Sequence, residues 1–142
     1  MHVKTHGNAR RASHRFPPIP RTSNTVMANG SDGSCDHIVS RVSEGLLVKS
    51  FTSADVDVAT GRFMLSVGEA YVIRSGLIDH AIKNAKSHGT GRDPMRRIVA
   101  VGNDATFGSR AYFCQKGTQM IPVGVAMPTI LIDGMSVTAE HG

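Results

Sequence analysis

Apolar residues concentrate in the last third of the chain, where short β-prone runs alternate with turn residues. One run covers residues 98–101 and stops at Gly102, and a second covers residues 128–132 and stops at Asp133-Gly134. An Asp-Gly pair between two such runs favours a hairpin, because glycine adopts a positive φ without steric cost. The pattern predicts a sheet core here, with strands over residues 96–101, 110–114, 120–126 and 128–138.

The middle of the chain shows the alternation of a half-buried hairpin. Residues 45–51 are a predicted strand with the apolar run Leu46-Leu47-Val48, and residues 55–58 then alternate strictly between Asp and Val. After Gly61, the apolar residues Phe63, Leu65 and Val67 recur at every second position. Side chains two apart on a strand share one face of a sheet. Gly61 is therefore the predicted turn of a hairpin with one buried face.

Residues 69–88 show the spacing of an amphipathic helix. Ala70, Ile73, Leu77, Ala81 and Ala85 recur three or four positions apart, as the buried stripe of a helix does. The basic residues near position 88 and the glycine that follows suit a helix end. This pattern predicts one helix packed against the sheet.

The N-terminal 31 residues differ in composition from the rest of the chain. Pro17-Pro18-Ile19-Pro20 favours extended backbone, and residues 29–34 are rich in turn formers. The sequence thus predicts a mainly β fold of the β-rich α+β class, with antiparallel hairpins, one packed helix and an extended N-terminal arm. The predicted domains are an arm over residues 1–31 and a single β-rich domain over residues 32–142.

The net charge of +5 comes entirely from this arm. Residues 1–31 contain five Lys or Arg and no acidic residue, whereas the remaining residues contain eleven of each sign. A basic arm on a neutral body suits contact with an acidic surface, whether nucleic acid, anionic lipid or another subunit. The predicted partner-binding residues are Arg10, Arg11, Arg15, Phe16, Ile19 and Arg21. Nucleic acid is one candidate partner, and another protein subunit is the other.

Cysteine and histidine supply the candidate chemistry. The two cysteines, Cys35 and Cys114, are too few for a disulfide framework. Cys35 lies two residues from His37, so the two side chains would share a face on a strand. This spacing permits a small Cys/His enzyme with Cys35 as the nucleophile, and it names no substrate.

The sequence bounds location only weakly. No run approaches the ~20 apolar residues that span a bilayer, and the N-terminus has no apolar segment of a secretory signal. A virion or the cytoplasm are both compatible with these features. A membrane span is not expected.

Three fragments of the chain resemble the PAAR-repeat family of spike-tip proteins. Residues 98–106 resemble its strand–Gly-Asp–Thr opening, residues 128–137 resemble its strand–turn–strand unit, and residues 23–30 resemble a shorter form of the latter. The resemblance implies a structural component of a phage particle or secretion-spike tip, docked on neighbouring subunits by its arm, rather than an enzyme. It also implies zinc, with His141, Cys114, His37 and Cys35 as candidate ligands. The alternatives are a nucleic-acid-binding module and the Cys35 enzyme.

Overall fold

Strands dominate the computed structural model, which describes residues 8–108 and 112–139. Two helices of five residues each, α1 (Cys35–Val39) and α2 (Arg92–Arg96), interrupt the strands. The predicted mainly β class with antiparallel hairpins is therefore confirmed. The strands are β1 (Ala9–Arg10), β2 (Ile19–Pro20), β3 (Thr25–Val26), β4 (Glu44–Val56), β5 (Arg62–Arg74), β6 (Leu77–Ile82), β7 (Ala85–Thr90), β8 (Ile98–Val101), β9 (Thr106–Phe107), β10 (Tyr112–Lys116), β11 (Gln119–Val123), β12 (Val125–Met127), β13 (Ile130–Ile132) and β14 (Ser136–Ala139).

Contacts group the chain into two units. Unit 1 combines residues 1–29 with residues 105–128, and unit 2 combines residues 30–104 with residues 129–142. The predicted division into residues 1–31 and 32–142 stays a prediction, since a grouping by contacts does not test independent folding. Within the described residues, no helix is long and apolar enough to cross a membrane.

Unit 1 is built from small sheets that incorporate the predicted arm. Strand β1 pairs with β2, and β10 pairs with β11, both antiparallel. Strand β3 pairs in parallel with β12, whose other side pairs with β9. The N-terminal residues therefore contribute three short strands to the unit that also carries Cys114.

Unit 2 is organised around the long hairpin of β4 and β5. The five-stranded sheet runs β14-β7-β5-β4, and β6 also pairs with β5. The predicted hairpin turn at Gly61 is confirmed, since Gly61 has a φ of 72° and Val56 pairs with Phe63. A small core of Val67, Ala70 and Ala85 lies in this sheet.

The helix predicted over residues 69–88 is wrong. Strands β5, β6 and β7 occupy this stretch, joined by tight turns at Ser75-Gly76 and at Asn84. Ser75 and Gly76 have φ values of 50° and 77°, and Asn84 has a φ of 58°. Two consecutive residues with positive φ form the turn that matches the twist of a β-hairpin. These turns override the helical spacing of the apolar residues.

The hairpin predicted at Asp133-Gly134 is also wrong in its pairing. A turn does form there, with Gly134 at a φ of 64°. The strands on either side nevertheless join different sheets, since β13 pairs with β8 and β14 pairs with β7. Arg97 fixes the turn by donating from Nη1 to the carbonyl oxygen of Gly134 at 2.7 Å.

Candidate functional site

The β10–β11 hairpin of unit 1 has one covered face and one open face. Cys114 pairs with Ile121 across the two strands, so their side chains lie on the same face. Ile121 is buried, and Cys114 is half-buried beside it. Phe113 and Met120, on the other face, are each 55% exposed. The thiol therefore sits at the margin of the covered face.

Arg21 hydrogen-bonds to the backbone of this hairpin. Its side chain is buried, with 5% exposed. Nη1 donates to the carbonyl oxygen of Cys114 at 2.7 Å, and Nη2 donates to that of Gln119 at 3.2 Å. Nη2 also lies 3.5 Å from the carbonyl oxygen of Lys116. One guanidinium thus reaches both strands of the hairpin.

Further hydrogen bonds join the same two segments. The side chain of Gln119 accepts from the Ala12 N–H at 3.0 Å and donates to the Pro17 carbonyl at 3.4 Å. Lys116 Nζ donates to the Pro20 carbonyl at 2.9 Å. Arg10 donates to the carbonyl oxygens of Thr22 and Pro122. The N-terminal segment and the hairpin are consequently held together at several points.

Neighbouring donors lower the pKa of the Cys114 thiol. The side-chain hydrogen bond from Thr22 contributes most, and the Thr22 N–H and the Arg21 guanidinium add to it, while burial acts in the opposite direction. Hydrogen bonds and positive charge stabilise the thiolate. The thiolate is the form of cysteine that acts as nucleophile and metal ligand. Cys114 is therefore the thiol in this chain whose surroundings favour either role.

The charged residues in the sequence of unit 1 are all basic. Residues 1–29 and 105–128 contain no Asp or Glu. The same ranges contain only basic charged residues: Lys4, Arg10, Arg11, Arg15, Arg21, Arg110 and Lys116. The described residues of this unit therefore carry no acidic side chain that would disfavour a thiolate at Cys114.

Replacing Thr22 with valine is expected to raise the pKa of Cys114, because valine keeps the shape of threonine but cannot donate a hydrogen bond. In a Cys35→Ser background, iodoacetamide alkylation of Cys114 should slow severalfold at neutral pH, and its pH midpoint should move upward. Thr118→Val, the same change in the exposed turn of the hairpin, serves as the control. An unmoved midpoint in Thr22→Val would contradict the assignment.

Two of the other predicted metal ligands belong to a different unit from Cys114. Cys35 and His37 belong to unit 2, in helix α1. His141 lies outside the described residues. The described part of the chain contains no group of three or more His, Cys, Asp or Glu side chains placed to hold a metal ion.

The proposed pairing of Cys35 with His37 also changes. The two residues lie in a helix rather than on a strand, and residues two apart on a helix point about 200° apart. The Cys35 N–H donates to Asp104 Oδ2 at 3.1 Å, and the His37 N–H caps onto Ser34 Oγ at 3.5 Å. Both residues therefore have local structural contacts and no shared face.

The predicted partner-binding residues divide by exposure. Arg11 and Arg15 are exposed, and Arg10, Phe16 and Ile19 are half-buried. For these five residues, partner binding stays a prediction. Arg21 differs, because its guanidinium is buried and bonded to the hairpin carbonyls. These bonds give Arg21 a structural role inside unit 1, and partner binding by Arg21 likewise stays a prediction.

Comparison with known proteins identifies what this chain resembles. Residues 1–139 match the family described as the PmbA/TldA metallopeptidase C-terminal domain. The chain is 36% identical over 137 residues to a metalloprotease TldD homolog of Buchnera aphidicola, covering 96% of this chain and 28% of that protein. A metalloprotease TldD homolog of Haemophilus influenzae is 35% identical with the same coverages.

Solved structures agree on the fold. TldE from Thermococcus kodakarensis matches with a TM-score of 0.76 at 16% identity, over 94% of this chain and 27% of that chain. The chain therefore spans just over a quarter of the length of the proteins it matches.

These matches overturn the resemblance to PAAR-repeat spike tips. The family match covers nearly the whole chain, whereas the three fragments were short strand–turn patterns that many β proteins share. The predicted role as a structural component of a phage particle or secretion-spike tip is therefore wrong, as are the virion and phage-tail assignments. Nucleic-acid binding and a Cys35 enzyme gain no support from the matches either.

Proposed function

The chain belongs to the PmbA/TldA metallopeptidase C-terminal domain family, and from this membership we propose that it acts as one domain of a metal-dependent peptidase. The observation that carries the proposal is the similarity to proteins named metalloproteases along 96% of the chain. The chain covers only 28% of their length. Peptide hydrolysis would accordingly be an activity of the larger assembly to which this domain contributes.

Cys114 is the residue through which this domain would contribute to the metal site. Its thiol is half-buried rather than enclosed, and its pKa is lowered by donors from Thr22 and Arg21. A thiolate is a standard ligand for zinc and other soft or borderline metals. The chemistry of this donor therefore fits a metal such as zinc.

One thiolate does not make a metal site, since zinc takes three or four protein ligands. The other ligands would come from beyond the described residues, either elsewhere in the polypeptide or on a second protein subunit. His141 remains a candidate from the sequence. When bound, such a metal supplies Lewis-acid polarisation of a peptide carbonyl. The part of this chain is to hold Cys114 in place and as a thiolate.

Cadmium binding tests the assignment of Cys114 directly. Adding Cd²⁺ to the purified chain should produce an ultraviolet thiolate-to-cadmium charge-transfer band, because Cd²⁺ prefers sulfur ligands and reports on the thiolate itself. The band should persist in Cys35→Ser and disappear in Cys114→Ser. A band that follows Cys35, or that survives Cys114→Ser, would exclude Cys114 as this domain's donor.

A further inference from the structure

Arg21 is a buried cation without an acidic partner. None of the ion pairs among the described residues includes it, and the sequence of unit 1 contains no Asp or Glu. Its Nε is buried and lacks a hydrogen-bond partner in the described part of the chain. A buried charge with incomplete hydrogen bonding is costly for stability. The hydrogen bonds from Arg21 to the hairpin carbonyl oxygens are therefore the contacts that hold this charge in place.

The bonds that Arg21 does make are concentrated around Cys114. The shortest, at 2.7 Å, goes to the carbonyl oxygen of Cys114 itself. The other well-formed bond goes to Gln119 in the opposite strand at 3.2 Å. The rigid planar fork of a guanidinium can hold two acceptors at once, which a lysine ammonium on its flexible stem does less well. The guanidinium thus connects both β10 and β11 to a single residue of the N-terminal segment.

Arg21 is also adjacent in sequence to Thr22, the residue that most strongly affects the Cys114 thiol. Thr22 follows Arg21 directly in the chain, and its side chain and N–H are among the groups that lower the pKa of the Cys114 thiol. Holding the hairpin carbonyls on Arg21 therefore also fixes the thiol against Thr22. We infer that Arg21 is a positioning residue that sets the place of the Cys114 thiol through its bonds to the β10–β11 backbone. The relevance to metal binding rests on the function proposed above.

A disulfide between residues 22 and 114 measures this placement without any metal. In a Cys35→Ser, Thr22→Cys background, oxidation by diamide should link residue 22 to Cys114 quickly, because a disulfide forms only when the two β-carbons lie about 4 Å apart. Arg21→Ala should slow the reaction at least tenfold. Arg21→Lys, which keeps the charge but not the fork, should also slow it.

Two controls separate placement from loss of stability. Ala126→Gly weakens another buried position of unit 1, in the β3–β12–β9 sheet, and should leave the disulfide rate unchanged. Methylguanidinium should restore the rate of Arg21→Ala by filling the vacated position, whereas methylammonium should not. If Arg21→Ala does not fold, Arg21→Lys carries the same comparison.

The outcomes decide the inference independently of the metal. Disulfide formation at the parental rate in both Arg21 variants would overturn it, and so would equal slowing by Ala126→Gly. Failure of the proposed function would show differently, as an absent cadmium band in a protein whose disulfide still depends on Arg21. Loss of the cadmium band in Arg21→Lys, with an unchanged free energy of unfolding, would show that positioning by Arg21 supports metal binding by Cys114.

Discussion

Cys114→Ser is expected to abolish most peptide hydrolysis in a chimera that joins this chain to the rest of a full-length relative. A chimera in which the chain replaces the corresponding 28% of the Haemophilus influenzae relative should hydrolyse an unstructured peptide. Cys114→Ser in that chimera should lower the rate about a hundredfold, since changes that only support a metal ligand already cost 10–100-fold. A serine hydroxyl remains protonated at neutral pH and is a poor substitute for a thiolate.

The chimera offers its own controls. The same cysteine-to-serine change at Cys35 should leave hydrolysis unchanged, because Cys35 contacts Asp104 through its backbone N–H rather than its thiol. A chelator should abolish hydrolysis by the parent chimera, and zinc should restore it. Full activity in Cys114→Ser, with a chelator-sensitive parent, would mean that the metal is held without this domain's thiol.

Only some of the sequence patterns were sufficient to predict the observed strands. The strict alternation around Gly61 predicted the β4–β5 hairpin, because period-2 spacing and a left-handed glycine indicate the same element. The helix prediction over residues 69–88 was wrong because small and β-branched residues fit the buried stripe of a helix and the buried face of a strand equally well. The decisive signal was local: Ser75-Gly76 suits a two-residue hairpin turn. A glycine in the middle of a predicted helix also carries a cost.

The surroundings of Cys114 could not be predicted from the sequence, because its neighbours are distant in the chain. Cys114 was a candidate ligand, but its neighbours Arg21 and Thr22 are more than 90 residues away in the chain. Arg21 was predicted to bind a partner because it belongs to a basic segment. Nothing in its local sequence distinguishes it from the exposed Arg11 and Arg15. Pairings between distant short strands, such as β3 with β12, have no local signature.

Asp104→Ala is expected to destabilise unit 2 by at least about 1.5–3 kcal/mol, which is the contribution of a single hydrogen bond to a charged acceptor. The carboxylate accepts from the Thr129 N–H and the Thr129 hydroxyl, each at 2.8 Å, and from the Cys35 N–H at 3.1 Å. It therefore joins three separate segments of the unit. Urea unfolding measures the global loss, and amide hydrogen exchange at Cys35 and Thr129 measures the local one.

The pH dependence of this effect has a definite sign. The Thr129 N–H, foremost, and the Thr129 hydroxyl hold the pKa of Asp104 below its ordinary value, against the opposing effect of burial. A lowered folded-state pKa stabilises the protein above the unfolded value of about 3.9, and that stability is lost as the pH falls through the folded value. Asp104→Ala should therefore cost most near neutral pH and progressively less in acid.

Asp55→Ala provides the matched control, because Asp55 is an exposed acidic residue on β4 of the same unit. It should change the urea midpoint little at any pH. An Asp104→Ala penalty that stays constant from neutral pH down into acid would contradict the proposed contribution of the ionised carboxylate. The packing of the Asp104 side chain, rather than its charge, would then account for the loss in Asp104→Ala.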